Sequence, residues 1–187
     1  MRADRMKRWK AGFMLIVMVM LCIGSEGCGS GSPKDPLQDP TAVTTPGGKV
    51  IRYGDTQESV EEILGMETTS WSYDEHHVQY TDETEAFYRE TDGKYHMAYI
   101  HIRDSSYTTY QGIRVGDNWE EVRERLNPEL IRETRFGADL LFDDGKQIDA
   151  NIDQDKWEED WIRISYGCYD GDINGIFVLD EKAAEFE

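Results

Sequence analysis

The sequence predicts an α+β fold: a short helix followed by an antiparallel β-meander, made twice in tandem, as one continuous or two packed small sheets. Three observations predict it. Residues 51–65 (IRYGDTQESVEEILG) align without gaps on residues 113–127 (IRVGDNWEEVRERLN), 62 positions apart, with eight of fifteen identical. Each motif is followed by segments of alternating polarity, and each half carries an Asp-Gly-Lys turn signal, at 92–94 and 144–146. The predicted repeats run from about 51 to 112 and from about 113 to 187.

Each helix has a readable start. Asp55 and Asp117 are expected to accept a hydrogen bond from a first-turn amide, and Glu58 and Glu120, three residues later, to complete a capping box. Val60, Ile63 and Leu64 then share one face, as do Trp119, Val122 and Leu126. Gly65 suits a left-handed C-terminal cap, and Asn127-Pro128 stops the second helix. The strand candidates are 71–73, 78–80, 86–89 and 95–102, then 131–136, 139–142, 148–152, 161–166 and 176–179.

What precedes residue 51 has a different composition. Residues 1–10 (MRADRMKRWK) carry five basic side chains, followed by fourteen uncharged, mostly apolar residues and then SEGCGSGS. That is a signal-peptide layout over residues 1–27, too short in its apolar run for the roughly 18 residues of a spanning helix. Cys28 lies just beyond the run, between Gly27 and Gly29-Ser30-Gly31-Ser32. Its position resembles the lipobox of bacterial lipoproteins, although Ser25 and Glu26 stand where that motif has leucine and a small residue. The resemblance implies a lipid-carrying Cys28, with palmitate-type acylation, holding the chain at the outer face of the cytoplasmic membrane. Cleavage near residues 24–27 by ordinary signal peptidase, leaving Cys28 a free thiol, is the alternative. Residues 28–50 are rich in Gly, Ser, Pro and Thr and read as a flexible tether.

Charge excludes one class of partner. Residues 51–187 hold 13 Lys and Arg against 34 Asp and Glu, without a basic cluster, so nucleic acid is not a ligand and the membrane is met only through the lipid. Basic proteins and divalent cations fit that balance. With Cys22, Cys28 and Cys168 as the only cysteines, no disulfide framework is readable.

Signatures of catalysis are missing: there is no G-x-S-x-G, P-loop or H-E-x-x-H. With 34 acids, a carboxylate pair at any spacing arises by chance, and Cys168 reads as a structural thiol. His76 and His77 stand beside Asp74-Glu75, but neighbouring residues on a strand face opposite ways, which argues against joint metal ligation. His96 and His101 complete the set. One pattern matches in full: Asp170, Asp172, Asn174, Gly175 and Glu181 have the oxygen spacing of an EF-hand loop for Ca2+. The strand-like WIRISY at 161–166 favours a hairpin loop instead of an entering helix.

Taken together, a helix opened by Gly-Asp-(Thr/Asn)-x-Glu-x-Val, closed in the first copy by Leu64-Gly65 and followed by antiparallel strands, resembles the SmpA/OmlA lipoproteins and the tandem-repeat beta-lactamase inhibitor protein. The resemblance implies protein binding through the exposed sheet face or the helix side. The expected function is therefore that of a non-enzymatic, membrane-anchored, protein-binding lipoprotein without a cofactor. A calcium-binding surface module using residues 170–181 is the alternative.

Overall fold

A computed structural model describes residues 39–65, 69–72 and 76–183, with the side chains of 69–72 and 76 left aside. The signal segment, Cys28, Tyr73, Asp74 and Glu75 lie outside the described residues. Twelve strands and two α-helices of eight and seven residues make up the regular structure there, apart from one 3₁₀ turn at Gln154–Lys156.

The predicted α+β tandem repeat is corrected by the strand pairing. Strand dominates, and most of it belongs to one antiparallel sheet. Its strands are β3 (Thr69–Ser72), β4 (His76–Thr81), β5 (Thr84–Thr91), β6 (Lys94–Ile102), β8 (Ile131–Thr134), β9 (Gly137–Asp143), β10 (Lys146–Ile148), β11 (Ile162–Tyr169) and β12 (Asp172–Asp180). Eight follow one another in the order β10-β9-β11-β12-β6-β5-β4-β3, and β8 pairs with β9.

Strands β3 to β6 run in chain order as a meander, but the second half does not repeat it. There β9 takes β8 and β10 as antiparallel partners at its two ends, while β11 pairs along its length, opposite residues 137–142. The reason is local: β10 ends at Ile148, short of the expected Ile152, and the chain leaves the sheet through residues 149–161 before β11 begins.

A separate three-stranded sheet, β2-β1-β7, is built from β1 (Val43–Thr44), β2 (Val50–Ile51) and β7 (Thr108–Thr109). It corrects the tether boundary at residue 50. Ala42 and Val43 are buried, and Pro46-Gly47-Gly48 turns the chain so that Val43 faces Ile51 and Thr44 faces Val50.

The internally matched motifs have one job, done twice. Gly54 N–H donates to the Met97 carbonyl and Met97 N–H to the Asp55 carbonyl (2.9 and 2.8 Å), docking the first loop on β6. Gly116 and Asp117 exchange the same pair of bonds with Ile173 on β12, at 2.7 and 2.9 Å. The carboxylates of Asp55 and Asp117 fold back to accept from the amides of Arg52 and Arg114, at 2.8 and 2.9 Å.

Their side chains are therefore not the helix caps. The N-cap of α1 (Gln57–Leu64) is Thr56, whose Oγ1 accepts from Ser59 N–H, and that of α2 (Trp119–Arg125) is Asn118, whose Oδ1 accepts from Glu121 N–H. This moves each helix start one residue on. Glu58 and Glu120 become second helical residues, too early for the reciprocal bond of a capping box.

Val60 and Val122 are buried, with Ile63, Leu64, Trp119 and Leu126 packed beside them. They cover one face of the large sheet, where Val78, Tyr80, Ala86, Tyr88, Ile100, Ile102, Ile164, Tyr166, Ile176 and Val178 form the core with Val43 and Ile51 of the small sheet. Period-two alternation sends the residues between them to the opposite face, and the candidate sites arise there and at the hairpin ends.

Candidate functional site

On β4, β5, β6 and β12, inward Val78, Ala86, Ile100, Ile102, Ile176 and Val178 leave His77, Glu85, Phe87, Tyr99, His101 and Phe177 on the far side. Cross-strand pairing sets them beside one another: His77 opposite Phe87, Glu85 opposite His101, Phe87 opposite Tyr99, and His101 opposite Phe177.

Glu85 is the hub. Its Oε1 lies 2.8 Å from His101 Nδ1 and its Oε2 lies 3.1 Å from His77 Nε2. Burial raises the Glu85 carboxyl, but the hydrogen bond and charge of His101, then those of His77, outweigh it and hold the group below the usual carboxylate range. Rings surround the hub: His101 stacks on Phe177 at 4.0 Å between centroids and 13° between planes, and His77 lies 6.0 Å from Phe87. The stack needs Gly175, since a Cβ there would come within 3.0 Å of His101 Nε2.

A second feature lies at one end of the sheet. Phe136, in the β8–β9 turn, and Tyr169, at the end of β11, are 70% and 71% exposed. Sheet pairing brings their backbones together: Gly137 faces Gly167, and the Phe136 carbonyl accepts from Cys168 N–H at 2.6 Å. The Arg135 guanidinium sits 5.3 Å from the centre of the Phe136 ring. Cys168 itself is half-buried, and burial pushes its thiol up, the opposite of what an activated nucleophile needs.

The EF-hand pattern is taken apart by the fold. Asp170 and Gly171, with φ of 53° and 88°, form the tight turn between β11 and β12, as Asp92-Gly93 and Asp144-Gly145 do in two other hairpins. Asp172 and Asn174 then lie along β12, and Glu181 falls beyond its far end, roughly 30 Å away at ~3.3 Å per residue. Glu181 pairs there with Arg163 at 3.3 Å.

Among the described residues no three His, Cys, Asp or Glu side chains are placed to hold a metal ion. Millimolar Ca2+ is accordingly expected to leave the melting temperature unchanged; a rise of several degrees, reversed by chelator, would restore the calcium reading.

Of the predicted site residues, then, Asp55 and Asp117 shape the docking loops, Asp170 to Glu181 are spread along a hairpin, and Cys28 lies outside the described residues. Glu85, His101, Phe136 and Tyr169 went unremarked as site residues. Alternation around the Asp92-Gly93 turn places Glu85 and His101 on neighbouring strands, but their meeting depends on a register shift between Phe87 and Tyr88. Nothing in the sequence signalled that the turn carrying Phe136 is joined to the end of β11 beside Tyr169, because the two residues come from different turns. Among the described residues no helix is long and apolar enough to cross a membrane.

Compared with known families, the chain matches no family model, and no curated protein matches it. Among solved structures it is similar to an extracellular protein containing an SCP domain from Bacillus anthracis str. Ames, a 1.5 Å crystal structure. The TM-score is 0.43 and the identity 8%, over 87% of this chain and 51% of that one. The chain thus spans about half the length of that protein, and a likeness at this level carries nothing over to its activity.

Proposed function

We propose that the chain is a secreted lipoprotein that binds another extracytoplasmic protein without catalysing a reaction, and that Cys28 is its lipid attachment point. One observation carries the binding reading: two large aromatic side chains, each about 70% exposed, stand on hairpin ends joined by sheet pairing. Solvent-facing aromatics on rigid turns are what interface anchors are made of, since they bury much area at little entropic cost. The acidic balance of the chain selects partners with a basic face. The basic, then apolar N-terminal segment ahead of Cys28 supports the anchoring.

The test uses the full chain in a bacterial host, wild type against Cys28→Ala and Phe136→Ser/Tyr169→Ser. Shortening to Cys28 with added lipid mass and membrane retention, lost in Cys28→Ala, is expected from intact mass and partitioning. A photo-crosslinker at position 136 or 169 is expected to trap one discrete protein, which Phe136→Ser/Tyr169→Ser no longer retains. Equal release of wild type and Cys28→Ala removes the anchor, and absence of a discrete adduct removes the binding surface.

A further inference from the structure

The geometry points to a cation-accepting site on the β4–β5–β6–β12 face, in which Glu85 takes a lysine or arginine side chain of a partner protein and His77 competes with that side chain for the same carboxylate oxygen. It extends the protein-binding reading to a second surface, separate from the hairpin ends.

The two histidines are not equivalent. His101 is 13% exposed, stacked on Phe177 over the space left by Gly175, and fixed to Oε1. His77 is 38% exposed and holds Oε2 from the rim, through one contact of 3.1 Å. A charged nitrogen where the His77 ring now stands lies about 6 Å from the Phe87 ring, at the limit of a cation–π contact. The protein has thus built a cation site and seated its own imidazole in it.

Among the described residues, the titratable and charged groups on this face beside His77 are Glu85 from β5 and His101 and Tyr99 from β6, while β12 supplies uncharged Phe177 and Gly175; Asp74 and Glu75, which precede His77 in sequence, lie outside the described residues. A permanently charged ammonium or guanidinium is a stronger partner for that carboxylate oxygen than a ring held from the rim by one contact, so a basic side chain of the partner displaces His77. The lowered Glu85 carboxyl keeps the acceptor ionised.

The test is a titration of the full chain with a short peptide alternating lysine and glycine, followed by amide chemical shifts at neutral pH. Because the whole surface is acidic, every variant is compared with Glu129→Gln, which removes one exposed charge elsewhere. Glu85→Gln is expected to weaken binding about tenfold and Glu129→Gln to leave it nearly unchanged. His77→Ala, which removes the competing ring, is expected to strengthen binding about threefold. The acetyl-lysine peptide should not bind, and the shifted amides should lie on β4, β5 and β6. Equal effects of Glu85→Gln and Glu129→Gln, shifts spread over other acidic surfaces, or binding that is unchanged or weaker in His77→Ala would each overturn the site. A peptide titration that fails in these ways leaves crosslinking at Phe136 and Tyr169 unaffected, so the two proposals fail separately. The melting temperature of each variant, expected within a few degrees of wild type, separates lost binding from lost fold.

Discussion

Gly137→Ala is expected to destabilise the chain by about 3 kcal/mol or more, lowering the melting temperature on the order of 10 °C. Gly137 opens β9 with φ of 149°, and a Cβ there would lie 1.7 Å from the Tyr166 carbonyl oxygen, 2.9 Å from its carbon and 3.2 Å from Cys168 N. All three are backbone atoms of β11, the strand that pairs with β9 from Gly167↔Gly137 to Ile162↔Phe142. No side-chain rotation relieves such a clash, so the two strands must part at that end. Gly93→Ala is the control: φ is 77° but nothing lies within 4 Å of its Cβ, and only local turn strain of ~1–2 kcal/mol is expected. Thermal unfolding of both variants decides the matter. If Gly137→Ala melts with Gly93→Ala, the close approach of β9 and β11 is not needed for stability. The same variant should also lose any adduct formed through Phe136, whose carbonyl is held by Cys168 at that junction.

Asp180→Ala is expected to cost roughly 3–5 kcal/mol, the range for removing one member of a buried charged pair. The Asp180 carboxylate is buried and accepts four hydrogen bonds: from Tyr53 Oη at 2.6 Å, Arg89 Nη1 at 2.7 Å, Arg89 Nη2 at 3.3 Å and Ala183 N–H at 2.6 Å. Those donors come from the loop before α1, from β5 and from the turn after β12, so one side chain ties three separate stretches together. Burial, then the bond to Asp180, pushes the Tyr53 phenol far up, and it remains a neutral donor at all ordinary pH. Asp180→Asn keeps an acceptor oxygen and loses the charge, so it should fall between wild type and Asp180→Ala in urea unfolding. A loss below about 1 kcal/mol for Asp180→Ala would mean that water replaces the carboxylate without penalty.

What could be read from the chain was local. The two helices stand where the repeated motif places them, and Asp92-Gly93 and Asp144-Gly145 turn the chain as their composition requires. The cap assignment missed by one residue because an Asp side chain has two uses at a helix start, and here the turn back to Arg52 or Arg114 claims it. The small sheet was hidden because two-residue strands are too short to alternate. Strand order was hidden for a different reason: whether β11 pairs with β9 or with β10 depends on the path of residues 149–161, which has no periodicity to follow.

The Glu85 cluster shows how near the reading came. Counting outward from the Asp92-Gly93 turn pairs Arg89 with His96 and Tyr88 with Met97, as found, and would next set Glu85 against Ile100. A register shift between Phe87 and Tyr88 leaves Ala98 as an extra residue on β6, and Glu85 meets His101 instead. Bulges of this kind arise from packing on both faces at once, so neither the turn nor the alternation announces them. The hairpin-end pair is a tertiary product in the same sense, made by β9–β11 pairing alone.

The junction of β6 with β12 sets the order in which this protein can be finished. The long edge of β6 finds its partner in residues 176–179, so synthesis supplies the closing strand only after the whole of the second half-sheet has been made. Until then the first meander presents a row of unmet amides and carbonyls along an apolar strand, the kind of edge that recruits other chains. A chain ending before residue 172 would be sticky rather than merely shorter.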